Sequence, residues 1–212
     1  MLVQDVMNVA PITVDPQTPL LEAARRMQVR GFRHLPVVEG QTLVGILSDR
    51  DIKRAMPSDA TSLSAGEIGH LLTCQPVREI MTRTVITTGP MLPIEEAARL
   101  MVTEKISALP VTNAGRLVGI ITETDVLGIF ARAMGVGEPT SRLDVALPPR
   151  HTALGELVRL IEEAGTTVAS LLTLPGPWGA TEAIVRIRSM DPRPAVRALE
   201  GTGYVVRMQW PR

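Results

Sequence analysis

The sequence contains an internal repeat with a spacing of 74 residues, and this feature limits the possible folds more than any other. Residues 3–56 align with residues 77–130 without a gap, and about 19 of the 54 aligned positions are identical. The identical stretches include Leu35-Pro36-Val37, which returns as Leu109-Pro110-Val111. A repeat of this kind indicates two copies of one folding unit that pack together.

Each copy is predicted to form the same α/β unit. In the first copy, apolar residues recur at helical spacing over Leu20–Met27, which is typical of an amphipathic helix. Two apolar runs follow, Leu35–Val38 and Leu43–Leu47, and the short polar segment between them predicts a β-hairpin. A second helix is predicted to begin near Ser48. Together with a strand before the first helix, this order predicts two β-α-β-β-α repeats.

Three motifs occur in both repeats: a methionine near the start of each copy (Met7 and Met81), the Leu-Pro-Val strand, and an ending of the form Gly-Ile-x-Ser/Thr-x-x-Asp at Gly45–Asp51 and Gly119–Asp125. With these motifs the repeat resembles the CBS domain family. The resemblance implies a CBS pair with two related clefts between the repeats, each cleft drawing residues from both copies. CBS pairs bind adenine nucleotides, so the resemblance also implies a nucleotide ligand.

The repeat and the glycine-rich run that follows it predict the domain boundaries. We predict a first CBS repeat at residues 1–60, a linker at 61–76 with a short helix at 67–72, and a second repeat at 77–135. A run rich in glycine ends the second repeat, and a C-terminal domain is predicted at 140–212.

The Ser/Thr-x-x-Asp ending has two interpretations. Ser48 with Asp51, and Thr122 with Asp125, can form capping boxes that satisfy free N–H groups at a helix start, which needs no ligand. The same geometry suits a nucleotide, because the hydroxyl and free N–H groups can contact phosphate and the carboxylate can accept both hydroxyls of a ribose. Both interpretations stay open from the sequence.

The CBS resemblance implies a specific set of binding residues. The nucleotide-binding candidates are Ile12, Thr13, Ile46, Ser48, Arg50, Asp51, Ile86, Thr87, Ile120, Thr122 and Asp125. Candidate phosphate contacts are Arg33, His34 and Lys53, although His34 can equally be a surface residue before a strand. The second copy lacks these cations, so the two clefts are predicted to differ in charge.

The C-terminal region predicts a different fold. Strands at 141–147, 167–174, 182–188 and 204–209 alternate with helices at 153–164 and 194–200, and a turn at 175–179 joins the middle strands. This βαββαβ order predicts a ferredoxin-like α+β sheet with one face buried under two helices. The order resembles the ACT domain, a regulatory module that often binds amino acids, and the combination resembles bacterial CBS–ACT proteins of the acetoin-utilisation type. Thr152 stands where ACT ligand sites have glycine, which favours a role in dimerisation or docking.

Composition excludes several classes of protein. The net charge is zero and the cations are dispersed, so nucleic acid is not an expected partner. Cys74 is the only cysteine, no apolar run is long enough for a membrane span, and we expect a cytoplasmic protein. No metal-ligand spacing or catalytic motif is present, and the three histidines fall in different segments.

These features predict a non-catalytic sensor. We expect a homodimer without a cofactor that binds AMP, ADP, ATP or S-adenosylmethionine and couples occupancy, through the ACT-like domain, to dimer arrangement or to an unknown protein target. The alternatives are a dimerisation scaffold without a nucleotide and an amino-acid sensor. An enzyme is the rival class, but no room is left for a separate catalytic domain.

Overall fold

A computed structural model describes residues 1–56, 64–176 and 181–208. The chain divides into two compact units, Met1–Val126 and Leu127–Arg212. Part of the predicted linker, most of the predicted turn at 175–179 and the end of the last predicted strand lie outside the described residues. No helix in the described ranges is long and apolar enough to cross a bilayer.

The first unit contains the two repeats. Its main elements are α1 (Leu20–Arg30), β1 (His34–Glu39), β2 (Thr42–Ser48), α2 (Asp49–Ala55), α3 (Ala65–Cys74), α4 (Ile94–Glu104), β3 (Ala108–Asn113), β4 (Arg116–Thr122) and the start of α5 (Glu123–Ala133). The two hairpins form one sheet with the strand order β1-β2-β4-β3, since Thr42 pairs with Arg116. The helix predicted at 67–72 is observed and is longer, as α3.

The first strand predicted in each repeat is wrong as a full strand. It is reduced to one parallel bridge, between Val14 and Val37 in the first copy and between Thr88 and Val111 in the second. The amide N–H of Val14 donates to the carbonyl of Pro36 at 3.1 Å, and the chain turns away at Pro16. Proline cannot donate to a ladder, so the pairing ends there.

The two repeats exchange their N-terminal segments. Val3, in a short 3-10 helix (Val3–Asp5), is fully buried in the core of the second repeat, while Val77 and Met81 are buried in the core of the first. Paired backbone hydrogen bonds hold the exchange, with the N–H of Asn8 donating to the carbonyl of Ile120 at 2.9 Å and the reverse bond at 3.0 Å. Each core is therefore incomplete without the other copy.

The second unit is a four-stranded antiparallel sheet with two helices. Its elements are β5 (Ser141–Leu147), α6 (Ala153–Glu163), β6 (Val168–Pro175), β7 (Thr181–Ile187), α7 (Arg193–Glu200) and β8 (Val205–Met208), and the strand order is β6-β7-β5-β8. Alternate residues such as Leu143, Val145 and Val185 are buried against Leu157 and Leu199 of the helices. The predicted order of elements and the predicted buried face are confirmed.

Candidate functional site

Both Ser/Thr-x-x-Asp motifs form complete capping boxes at a helix start. The backbone N–H of Ser48 donates to Asp51 Oδ2 at 2.8 Å, and Ser48 Oγ donates to the same oxygen at 2.6 Å. The backbone N–H of Asp51 donates back to Ser48 Oγ at 3.3 Å. The corresponding distances for Thr122 and Asp125 are 2.8, 2.7 and 3.3 Å. The predicted capping boxes are therefore confirmed in both copies.

The caps use only one oxygen of each carboxylate. Within the residues that the structure describes, Oδ1 of Asp51 and Oδ1 of Asp125 make no hydrogen bond. Both side chains are partly buried. A ligand hydroxyl can therefore bind to Oδ1 without breaking the cap, so capping and ligand binding are compatible in this geometry.

The first of two clefts is a cavity of about 550 Å³, which we call the larger cleft. It combines the first Ser/Thr-x-x-Asp motif with a segment of the second repeat. It is lined by Arg33, His34, Ile46, Ser48, Asp49, Arg50, Asp51, Lys53, Arg54, Thr82, Thr84, Val85, Ile86, Lys105, Ile106, Ser107 and Ala108. Its volume lies within the usual range for small-molecule sites, roughly 300–1,000 Å³.

The second cleft, which we call the smaller cleft, has a volume of about 250 Å³. It combines the second Ser/Thr-x-x-Asp motif with a segment of the first repeat. It is lined by Asn8, Pro11, Ile12, Gly31, Phe32, Arg33, His34, Pro36, Ile120, Thr122, Thr124 and Asp125. Each cleft thus draws on both copies because the exchanged N-terminal segments run past the other repeat's β2 or β4.

Most of the predicted binding residues line one of the two clefts. The larger cleft brings together Ile46, Ser48, Arg50, Asp51, Lys53 and Ile86, and the smaller brings together Ile12, Ile120, Thr122 and Asp125. Arg33 and His34 line both. Thr13 and Thr87 do not line either cleft, although each follows an isoleucine that does.

His34 contacts the other repeat between the two clefts. Its Nε2 lies 3.1 Å from Ser107 Oγ, and both residues are partly buried. Burial, and next the nearby charge of Arg33, lower the pKa of His34 below its usual value. A neutral imidazole at neutral pH can exchange a hydrogen bond with the serine, whereas it contributes no net charge to a phosphate site.

The two clefts differ in charge, as predicted, and the structure shows where the cations lie. Five line the larger cleft: Arg33, Arg50, Lys53, Arg54 and Lys105. Only Arg33 among them also lines the smaller cleft. Sequence reasoning missed Arg54 and Lys105, and for Lys105 a signal was present, because the aligned residue after the first helix is glycine.

The fold and the clefts define a class: two fused copies of one α/β unit with a pair of related clefts between them. A family model for the CBS domain matches residues 3–58 and 77–132, which together make up more than half of the chain. The chain therefore belongs to the CBS domain family. The matches end at residue 132, so most of the second unit lies outside them.

The chain spans less than half the length of several curated relatives that it matches. It is 40% identical over 135 residues to inosine-5'-monophosphate dehydrogenase of Korarchaeum cryptofilum, covering 63% of this chain and 25% of that protein. It is 32% identical over 124 residues to the CBS domain-containing protein YhcV of Bacillus subtilis, covering 58% of this chain and 81% of that protein. The match thus covers most of the YhcV protein but only a quarter of the dehydrogenase.

Solved structures show the same pair of repeats. The CBS domain pair of MJ0100, in complex with 5'-methylthioadenosine and S-adenosyl-L-methionine, is 31% identical with a TM-score of 0.52, covering 62% of this chain and 97% of that one. AcuB of Vibrio cholerae, named for acetoin utilization, is 31% identical with a TM-score of 0.55, covering 64% and 94%. CBSX2 in complex with AMP is 28% identical with a TM-score of 0.51, covering 62% and 96%.

Proposed function

We propose that this chain is a non-catalytic regulatory protein that binds an adenosyl ligand in the clefts of its CBS pair. One observation carries the proposal: in each cleft an aspartate with a free Oδ1 lines the same cavity as an apolar segment of the other repeat. The ribose hydroxyls can donate to Asp51 or Asp125. We place the adenine ring beside Ile46 and Ile86, which both line the larger cleft.

The ligands of related CBS pairs support an adenosyl group. MJ0100 is complexed with 5'-methylthioadenosine and S-adenosyl-L-methionine, and CBSX2 with AMP. These ligands differ in charge and in the group attached to the ribose, but they share adenosine. The shared part corresponds to the features that both clefts of this chain have in common, namely the aspartate and the isoleucines. We therefore propose AMP, ADP, ATP or S-adenosylmethionine as the ligand.

The rival explanation is a scaffold in which the aspartates only cap helices. The chain contains a matched control for this possibility, because Ser64 and Glu67 form the same capping box at α3, with distances of 2.7, 2.7 and 3.3 Å. Neither residue lines either cleft. Loss of this cap therefore measures the cost of a capping box without any contribution from a ligand.

The test is isothermal titration of nucleotide-stripped protein with AMP, ADP, ATP and S-adenosylmethionine. We expect Asp51→Ala and Asp125→Ala each to weaken binding in one cleft by about 1–3 kcal/mol, the usual contribution of a hydrogen bond to a charged group. Glu67→Ala should lower the midpoint of thermal unfolding slightly, because the α3 capping box is lost, and should leave binding unchanged. If none of the four ligands binds, the scaffold explanation is the better one.

For the second unit we propose an ACT-like, ferredoxin-like domain that acts in dimerisation or docking. The turn where ACT domains bind amino acids is occupied by the chain's own side chains. Arg150 forms an ion pair with Glu156 at 2.7 Å and lies 5.4 Å from the centre of the Tyr204 ring. Thr152 Oγ1 donates to Glu156 at 2.7 Å. Since these polar groups already have partners, an amino-acid ligand would have to displace them.

We propose that ligand occupancy is coupled to the state of a homodimer. Coupling between sites is typically about 1–3 kcal/mol, which corresponds to a change in affinity of roughly five- to 150-fold. Sedimentation of the full chain with and without the bound nucleotide tests this. A dimerisation constant that shifts with ligand supports the coupling, whereas a monomer at all concentrations would contradict the dimer.

A further inference from the structure

Helix α4 ends at a residue that is unusual for its backbone conformation. Lys105 follows the helix with φ 55°, in the left-handed region. The aligned residue after α1 is Gly31, with φ 69°. A side chain other than glycine is disfavoured in this conformation, because its Cβ crowds the backbone. Because glycine makes the same turn in the first repeat, the backbone alone does not explain a lysine at this position. We therefore ask what the lysine side chain contributes.

These two aligned residues line different clefts. Lys105 lines the larger cleft, and Gly31 lines the smaller one. The same backbone position therefore presents a cation to one cavity and no side chain to the other. A disfavoured conformation kept at a ligand cavity is typical of a functional position.

The charge around Lys105 is not balanced by the acids of the cleft. Lys53 is paired with Asp49 at 3.3 Å. In the described part of the chain, no ion pair to a carboxylate is formed by the other four cations of the larger cleft, which are Arg33, Arg50, Arg54 and Lys105. A cluster of unpaired cations in a concave site attracts a multiply charged anion.

We propose that the larger cleft is selective for a nucleoside di- or triphosphate, with Lys105 as the specificity-determining residue that contacts the terminal phosphates. The smaller cleft, with less than half the volume and one of these cations, takes a nucleoside ligand of low charge. This inference rests on the proposed function, since it assumes that an adenosyl group occupies the clefts.

The test is isothermal titration of the full, nucleotide-stripped chain with adenosine, AMP and ATP. Lys105→Gly should lower the affinity for ATP about tenfold relative to adenosine, as expected for loss of one charge-assisted contact. Its midpoint of thermal unfolding should be equal to or higher than that of the wild type, because glycine suits the left-handed conformation. A gain in stability together with a loss of selectivity is not expected for a residue with a merely structural role.

Two further variants separate charge from conformation. Lys105→Arg keeps the cation and the disfavoured backbone, so it should retain the preference for ATP, whereas Lys105→Asn tolerates the backbone without the charge and should behave like Lys105→Gly. A preference for ATP over adenosine that changes less than twofold in Lys105→Gly would overturn this inference and leave the proposed function standing. Binding of S-adenosylmethionine alone would overturn this inference and leave the proposed function standing, whereas failure of adenosine, AMP, ADP, ATP and S-adenosylmethionine alike to bind the wild type would overturn both.

Discussion

The two clefts of the CBS pair have the same scaffold and different linings. The capping boxes of Asp51 and Asp125 agree within 0.1 Å in each of their three hydrogen bonds. By contrast, Arg50 and Lys53 of the first copy align with Thr124 and Leu127 of the second. The aspartate and isoleucine of the motif are the same in both clefts, while the charged positions around them differ. This difference is the basis of the proposal that the two clefts select different ligands.

The largest expected effect tests the shared scaffold. A Cβ added to Gly119 would lie 2.9 Å from the backbone carbonyl of Asn8, which cannot move without shifting the exchanged segment. At Gly45 the short contact, 2.5 Å, is with the flexible side chain of Met81, and the backbone carbonyl of Thr82 is 3.2 Å away. We expect Gly119→Ala to destabilise the protein by about 1–3 kcal/mol, as overpacking does, and Gly45→Ala by less. Urea denaturation measures both.

A matched control is available at Gly89, which is exposed and has no heavy atom within 4 Å of an added Cβ. Gly89→Ala should change stability by no more than about 0.5 kcal/mol. Equal losses for Gly119→Ala and Gly45→Ala would show that the two copies tolerate the exchange equally. The backbone contact of Asn8 would then not be the deciding difference.

The helices and hairpins of this molecule could be predicted from sequence because they are local. The apolar residues at helical spacing over Leu20–Met27 lie in α1, and the alternating apolar residues over Ser141–Leu147 form β5. The first strand of each repeat could not be predicted correctly, since pairing at Val14 depends on a bridge to Val37 and stops at a nearby proline. The exchange of Val3 into the other repeat's core leaves no local signal at all.

The candidate site was predictable to a similar extent. Asp51, Asp125 and the isoleucines belong to the repeated motif, and the structure places them in the clefts. The distribution of the cations could not be derived, because it depends on which surfaces face each other across the two copies. Lys105 lies in a helix terminus of the second copy and lines the cleft of the first copy's motif.

The second prediction removes the charge difference between the clefts. The double variant Arg50→Thr with Lys53→Leu gives the first motif the residues of the second copy. We expect the affinity of the larger cleft for ATP to fall by about 1–3 kcal/mol, since contacts to charged groups are lost, while binding in the smaller cleft is unchanged. Titration with ATP and adenosine measures both effects. Unchanged ATP affinity would mean that these cations do not face the ligand.

The third prediction concerns a residue that the clefts share. Arg33 lines both, so Arg33→Ser, which introduces the residue found at the aligned position 107, should weaken anionic ligands in both clefts. We expect the binding free energy to weaken by about 1 kcal/mol in each cleft, because the side chain of Arg33 is exposed and its charge is screened. Titration with AMP measures the two sites together. A loss confined to one cleft would show that the guanidinium serves only that ligand.

The smallest expected effect is a pH dependence that arises where the clefts meet. Burial and the charges of Arg33 and Arg50 lower the pKa of His34, and the carboxylates of Asp49 and Asp51 oppose this only in part. In the unfolded chain His34 therefore takes up a proton near pH 6.5, the ordinary value for histidine. In the folded chain it does so only at a lower pH. Stability should fall as the pH drops from about 6.5 toward the lowered pKa of the folded state.

Urea denaturation of the wild type and of His34→Gln across this pH range isolates the effect. All other side chains are the same in both proteins, so the difference between the two curves reports the change at position 34 alone. The difference should be constant above about pH 7 and should change in favour of the glutamine variant as the pH falls, because glutamine takes up no proton. If the two curves stay parallel down to pH 5, His34 has an ordinary pKa, and the meeting point of the clefts is more hydrated than its contact with Ser107 indicates.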